Sequence, residues 1–495
     1  MQKADKILCY SDIPIFENKV GDWRTVEPFL KDQNPPCQTQ CPIGQDIRKI
    51  MDLIKENKEE AAFSLMVKKN PFLYTTGQVC PHFCESSCNR NEIDEAINIS
   101  GIESYLGQKF IDYDLSAFKK NNQLKMKIAI IGAGPSGLSA AYQLARYGAD
   151  VEIYDRELMP GGMVWMGIPD YRFKKEIYNK EVKRIFDSFS NIKYFPNHEF
   201  SPHDIKNLKG YDYIFLAIGL QDPVYSDYKD VSYGVTVLRD YHSGRYDFPE
   251  YGNYLVLGAG NTAMDVAGYL LEAGNDVSVL VRKDRDQIRA NEPELKFVEE
   301  NGGKIMTLTQ LDEWDKTNKK AVLKMQNQSQ KQIRSVDGVF VCFGQRPEKE
   351  WKNFKATDKI KFIGDFNGEN AVLSSAVYSG YKEVHSILFP QLFTDESYLK
   401  KEQVNESHIN KEFWLEHQQR RQENLNEEAS RCIQCGTCTA CGICAEFCPD
   451  FAIEINSEAI FDYDYCKGCE ICFEECPRGA IENRLAHVEE KKGES

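Results

Sequence analysis

Eight cysteines fall into two copies of one spacing: Cys438-x2-Cys441-x2-Cys444-x3-Cys448-Pro449, then Cys466-x2-Cys469-x2-Cys472-x3-Cys476-Pro477. A thiolate at every third position puts three ligands on one short loop, enough to grip three corners of a [4Fe–4S] cube. In runs of this kind the fourth cysteine serves the neighbouring cube. One cluster would then use Cys438, Cys441, Cys444 and Cys476, and the other Cys466, Cys469, Cys472 and Cys448. Zinc also takes Cys-x2-Cys pairs, but its sites rarely carry the triple run with a trailing Cys-Pro. The chemistry open to this segment is one-electron transfer.

Two glycine patterns point to carriers that work in electron pairs. Gly132-x-Gly134-Pro135-Ser136-Gly137 follows the apolar run KIAII and precedes a helix-forming stretch. Glycines there permit a tight turn and a close backbone approach to a pyrophosphate, whose charge sits at the helix N-terminus. Asp155 ends the next strand, where a carboxylate can accept hydrogen bonds from a ribose 2′-OH; the rival reading is an acidic loop cap. Gly258-x-Gly260-Asn261-Thr262-Ala263 repeats the pattern after YLVL. Its second strand runs into Arg282 and Lys283 instead of a carboxylate. Cations suit a 2′-phosphate, so NADPH is favoured over NADH, with a solvated basic loop as the alternative. Gly364-Asp365, after KIKFI and before SSAVYSGYKEV, can set a carboxylate against a flavin's ribityl chain.

No Ser-His-Asp grouping, His-Glu-x-x-His or redox Cys-x-x-Cys falls in the nucleotide-binding stretches, where Cys342 is single. Hydride chemistry would therefore belong to a flavin, with the protein orienting the nicotinamide against it. A flavin also reconciles a two-electron donor with one-electron clusters.

These residues need elements to hold them. Residues 1–125 read as a helical iron–sulfur domain, because IRKIMDLIKENKEEAAFSLMVKKNP has helical periodicity and stops at Asn70-Pro71. From Lys127 the texture alternates between strand and helix. Residues 126–245 are expected to form the first part of an FAD-binding domain, 246–345 an inserted NADPH-binding domain, and 346–390 the second part of the FAD domain. A charged stretch, 391–430, reads as a solvated helical linker, and 431–495 as a ferredoxin domain with two [4Fe–4S] clusters. The fold class is thus multidomain α + α/β, with two Rossmann-like domains and an α+β ferredoxin segment. The 495 residues carry a formal net charge of −15 without a basic stripe, which excludes nucleic acid as a partner. No apolar run is long enough to span a bilayer, and the first residues lack a signal core. Seventeen cysteines in such a chain point to metal ligation in a reducing, cytoplasmic setting.

With these motifs the chain resembles the glutamate synthase small subunit and the amino-terminal half of dihydropyrimidine dehydrogenase. The resemblance covers about residues 30–390, most specifically GIPDYRF (167–173), LGAGNTAMD (257–265) and VRKDRDQIRA (281–290). It implies FAD at the first fingerprint and NAD(P)H at the second. Gly161, Gly162, Met163 and Arg172 would line FAD. Arg282 and Arg289 match the pair that holds the NADPH 2′-phosphate, and Phe343 and Gly344 fall where the nicotinamide nucleotide passes.

The family also carries an amino-terminal helical domain with two further clusters, entered by Cys-x2-Cys-x4-Cys-x3-Cys-Pro. Here Cys37-x3-Cys41-Pro42 is present, but Phe29 and Asp32 occupy the positions of the upstream pair. Arg431-Cys432-x2-Cys435 stands just before the ferredoxin repeat, and we infer that the missing pair has moved there and folds back. By the family's pattern, Cys432, Cys435, Cys37 and Cys88 would hold one cube. Cys41, Cys80, Cys84 and Glu103 would hold the other, Glu103 standing where dihydropyrimidine dehydrogenase has glutamine. Two rivals stay open. Glu103 could be a helix-surface residue, with Cys9 or water completing the cube, or Cys432 and Cys435 could be spare. The expected function is hydride transfer from NADPH to FAD, then single electrons through the clusters to a ferredoxin or partner reductase. The alternative is an electron-relay subunit of a larger complex, without a substrate of its own.

Overall fold

The computed structural model describes residues 19–120, 124–326, 331–368, 372–391 and 402–486. The chain divides into two compact units. One comprises Met1–Ala62, His82–Ile99 and Thr394–Ser495, the other Phe63–Pro81 and Ser100–Phe393. The helical region expected over 1–125 is therefore shared between them.

The larger unit holds two five-stranded parallel sheets. In the first the order is Ile360–Phe362, Tyr213–Leu216, Lys127–Ile131, Asp150–Tyr154, Ile192–Phe195. Ile128 to Ile131 are all buried, the continuous apolar run of a strand covered on both faces. The helix Pro135–Arg146 is buried from Ser136 to Arg146 and lies against the helix Leu373–Leu388. Gly380 lets the two backbones meet, since a Cβ there would stand 2.3 Å from the Ser136 carbonyl.

The second sheet is built by the chain between Tyr213–Leu216 and Ile360–Phe362, so one domain is inserted in the other. Its order is Lys304–Met306, Asp276–Leu280, Asn253–Leu257, Gly338–Val341, Ser232–Tyr233. An antiparallel pair, Asp222–Pro223 with Gln345–Arg346, forms where the chain passes into and out of this domain.

In the smaller unit the helix Ile47–Lys55 buries Ile47, Ile50, Met51 and Ile54, a stripe at helical spacing. Asp46 caps it by accepting from the Lys49 N–H at 3.2 Å. The helix Leu425–Ser430 packs on it. Val26–Leu30 pairs antiparallel with Ile481–Leu485, and Ile453–Ile455 with Ala459–Phe461.

The linker departs from the solvated helix read in the sequence. Residues 392–401 lie outside the described residues. Beyond them come three short helices, Glu406–His408, Lys411–Leu415 and Leu425–Ser430, joined by irregular chain. Most of its charged side chains are exposed, as a solvated stretch requires, and a few are held by the fold. Arg421 bonds Glu85 at 3.0 Å, and the Arg431 side chain is fully buried against Glu428 and Asp94.

Candidate functional site

At the carboxyl ends of the first sheet's strands the Gly-rich turn opens onto a cleft, where ligands of open α/β sheets bind. Gly132 has φ +108°, and a Cβ there would stand 2.4 Å from the Ala217 carbonyl; at Gly137 it would stand 2.0 Å from the Gly132 carbonyl. A side chain at either position would strike backbone, so the tight turn that lets a pyrophosphate approach requires glycine there. Gly132, Gly134, Pro135 and Ser136 form one wall of the cleft, and Asp155, Gly162, Met163 and Asp365 reach it from other segments. Asp155 accepts from the N–H groups of Ala133 (2.5 Å) and Glu157 (2.8 Å). Burial pushes its carboxyl above the ordinary range, and those two donors pull it back. Gly161 stands behind the wall, donating to the Ala133 carbonyl at 2.9 Å. Gly364, at φ +68°, donates to Ser379 Oγ at 2.9 Å.

Arg172 lies elsewhere. Its guanidinium sits between Asp265 (3.2 Å) and Glu294, which are buried on the helices Asn261–Glu272 and Glu292–Glu300 and need a counter-charge. Burial pushes the Asp265 carboxyl up to about 7, against the pull of Arg172.

The second turn has the same make-up. Gly258 has φ +153°, and a Cβ there would stand 2.4 Å from the Cys342 carbonyl. Gly260 precedes the helix that Asn261 and Thr262 open. The N–H groups of Arg289 and Ala290 donate to the Ala259 carbonyl at 2.8 and 3.0 Å, drawing Arg289 to the turn. Asn261 Oδ1 accepts from the Asn291 N–H at 2.9 Å. Arg282, Lys283 and Arg289 are exposed. The Arg282 guanidinium stands over the Phe343 ring at 5.5 Å, beside Gly344. Arg285, by contrast, is gripped by Glu299 through two bonds of 2.6 and 2.8 Å. The cations around this turn can hold a phosphate beyond the pyrophosphate.

The cysteines gather in quartets. Cys438, Cys441, Cys444 and Cys476 line one space in the smaller unit. Cys448, Cys466, Cys469 and Cys472 line a second. A third is lined by Cys37, Cys88, Cys432 and Cys435 among Ile47, Met51 and Ile433. Four sulfurs inside an apolar wall suit an iron–sulfur cube. Burial raises the Cys37 thiol well above its usual range, with the sulfurs of Cys88, Cys432 and Cys435 adding to it. Burial likewise pushes Cys435, Cys444 and Cys472 up to about 12, so iron must displace their protons. Among the described residues no three side chains converge on a single metal ion.

Cys41 and Cys84 belong to the smaller unit, Cys80 and Glu103 to the larger. Glu103 Oε1 accepts from Asn70 Nδ2 (3.0 Å) and Thr76 Oγ1 (2.9 Å). Cys80 Sγ stands 3.4 Å from Ser374 Oγ. Cys9 lies outside the described residues.

Sequence reasoning missed the residues that support the third quartet. Asn89 Nδ2 donates to Cys435 Sγ at 3.3 Å. Arg431 donates to both Glu428 oxygens (2.8 and 3.0 Å), to Asp94 (3.1 Å) and to the Glu95 carbonyl (2.6 Å). Arg90, paired with Asp94, stands over Trp414 at 5.7 Å. The available signal was position alone, since Asn89 and Arg90 follow Cys88 and Arg431 precedes Cys432.

Residues 126–365 match the family described as pyridine nucleotide-disulphide oxidoreductase. Residues 29–115 match dihydropyrimidine dehydrogenase domain II, 4Fe-4S cluster, and 459–482 match the 4Fe-4S binding domain. The NADP(+)-dependent formate dehydrogenase subunit beta of Moorella thermoacetica is 29% identical over 56% of this chain and 43% of its own length. The NADPH-Fe(3+) oxidoreductase subunit beta of Geobacter sulfurreducens is 30% identical over the same shares, 56% and 43%. The NAD-dependent dihydropyrimidine dehydrogenase subunit PreT of Escherichia coli (strain K12) is 28% identical over 55% of this chain and 67% of its own. The chain thus spans less than half the length of the first two. Among the described residues no helix is long and apolar enough to cross a membrane.

Proposed function

From the three matched domains we propose that this chain is an iron–sulfur flavoprotein of the pyridine nucleotide-disulphide oxidoreductase kind, which oxidises NADPH and passes the electrons singly to a separate redox protein. When bound, FAD supplies the two-electron to one-electron conversion, and the [4Fe–4S] clusters carry electrons one at a time. The chain's own residues bind and orient these groups. The turn at Gly132–Gly137 admits the FAD pyrophosphate, Asp155 takes a ribose hydroxyl, and Asp365 faces the ribityl chain. Arg282, Lys283 and Arg289 hold the 2′-phosphate that distinguishes NADPH, and Phe343 and Gly344 flank the nicotinamide end.

Cys438, Cys441, Cys444 and Cys476 ligate one cluster, and Cys448, Cys466, Cys469 and Cys472 a second. Cys37, Cys88, Cys432 and Cys435 ligate a third. The observation that carries the reading is the convergence of that last quartet, four thiols from three distant segments on one apolar space. Four thiols lining one apolar space, unpaired by disulfides, fit a four-cysteine metal site, and the matched 4Fe-4S domain over 29–115 favours a cluster over zinc. The same chemistry favours a reducing compartment, the cytoplasm.

A second reading, an electron-relay subunit whose substrate chemistry sits on another chain, draws on the relatives named as subunits. Reduction of an artificial acceptor by NADPH and the isolated chain separates it from the first.

The test of the cluster assignment is iron and acid-labile sulfide per FAD in the anaerobically purified chain and in a Cys432→Ser/Cys435→Ser variant. The expected result is a loss of about four irons with the ferredoxin clusters intact by electron paramagnetic resonance. Unchanged iron would mean that the two cysteines are spare.

A further inference from the structure

The ferredoxin repeat does not close its own sheet. In the strand Val26–Leu30 each residue opposes one of the strand Ile481–Leu485, from Val26 against Leu485 to Leu30 against Ile481. The residues just before Cys438 cannot take that place. Ile433, Gln434 and Cys435 are buried at the third cysteine quartet, and Gly436 is bonded to Gln33 and Arg478.

The incoming strand is fixed at several points. Tyr463 Oη donates to the Pro28 carbonyl at 2.7 Å, and Glu27, almost wholly buried, pairs with Arg24 and Arg484. Gly468, between Cys466 and Cys469, exists for this approach. Its φ is +71°, and a Cβ there would stand 2.2 Å from the Val26 carbonyl. Two residues of one strand then face the two cysteine spaces. Leu30 lines the one walled by Cys438, Cys441, Cys444 and Cys476, and Pro28 the one walled by Cys448, Cys466, Cys469 and Cys472.

We propose that Leu30 and Pro28 are the water shields of the two ferredoxin clusters, each setting the potential and air stability of its own cluster. The proposal rests on the cluster assignment above. Solvent dipoles favour the more negatively charged reduced state, so a residue that excludes water holds the potential down. The shield is carried by the far end of the chain, so the C-terminal segment is not a detachable ferredoxin.

The test is a redox titration of the full chain, followed by electron paramagnetic resonance, together with the rate of visible bleaching in air. Leu30→Ser should raise the midpoint of one ferredoxin cluster and speed its bleaching, leaving the other unmoved. Pro28→Ser should do the reverse, and Leu30→Ile should restore wild-type behaviour. Loss of about four irons from the ferredoxin segment with FAD retained would support the same role. If Leu30→Ser loses FAD as well, Leu30→Ala replaces it as the deciding variant. Potentials and bleaching rates unchanged in iron-replete Leu30 and Pro28 variants would overturn the proposal. A wild-type chain without signals from the ferredoxin clusters would sink the functional reading itself, before any variant is compared.

Discussion

On the proposed reading, single residues would decide which nucleotide binds and how one cluster is poised. Arg282 and Arg289 come to the second Gly-rich turn by different routes, one along a strand end over Phe343, the other through backbone bonds to Ala259. Two charge-assisted hydrogen bonds to a phosphate contribute about 1.5–3 kcal/mol each. Arg282→Ala/Arg289→Ala should therefore raise KM for NADPH about a hundredfold or more while moving KM for NADH little. Steady-state kinetics with both nucleotides checks this, and equal effects would remove the 2′-phosphate assignment. Asn89 acts on the third quartet through its bond to Cys435 Sγ. In Asn89→Leu the thiolate loses a donor. Its cluster's midpoint should fall by about tens of millivolts, a net hydrogen bond of ~1 kcal/mol read as a potential. Iron content should stay unchanged in the same titration. At this scale the cysteines were legible, because ligand spacing is local. Asn89 and Arg431 were not, because Cys435 and the Asp94–Glu95 segment reach them from more than three hundred residues away, which no spacing records.

Elements follow the same division. The strand, Gly-rich turn and helix at Lys127–Arg146 and Asn253–Glu272 were readable because each is a contiguous pattern whose glycines have a steric reason. Gly258→Ala tests that reason. The new Cβ meets the Cys342 carbonyl at a backbone conformation of φ +153°. The variant should lose most of its nicotinamide binding in a nucleotide titration yet keep its FAD, since Gly132 and its turn belong to the other domain. The linker is mostly exposed, as its charge implies, but it forms short helices instead of one, and Glu428 is buried within it. Glu428 and Arg431 look like a solvated face until Asn98, Gln422 and Asp94 supply partners. The family pattern assigns Arg172 to the flavin, and its guanidinium is paired with Asp265 and Glu294 of the inserted domain. Local sequence carries no sign of that pairing.

At the scale of the whole molecule, the order of modules along the chain was legible, but not the composition of the smaller unit. That unit draws on three separate stretches. The sequence hinted at this in one place, the cysteine pair absent at Phe29 and Asp32 and present at Cys432 and Cys435. Phe29 proves to lie in the strand Val26–Leu30, which pairs with Ile481–Leu485, and Asp32 lies just beyond it. A pair of ligands and a strand have in effect exchanged ends.

That exchange has a consequence for synthesis. Cys37 and Cys88 leave the ribosome long before Cys432 and Cys435, and residues 26–30 wait for their pairing partner until Ile481–Leu485 is made. Both nucleotide-binding domains can fold in between. The iron-holding unit is therefore completed only after the flavin-holding one, and a chain released early would hold neither the third quartet nor the ferredoxin pair.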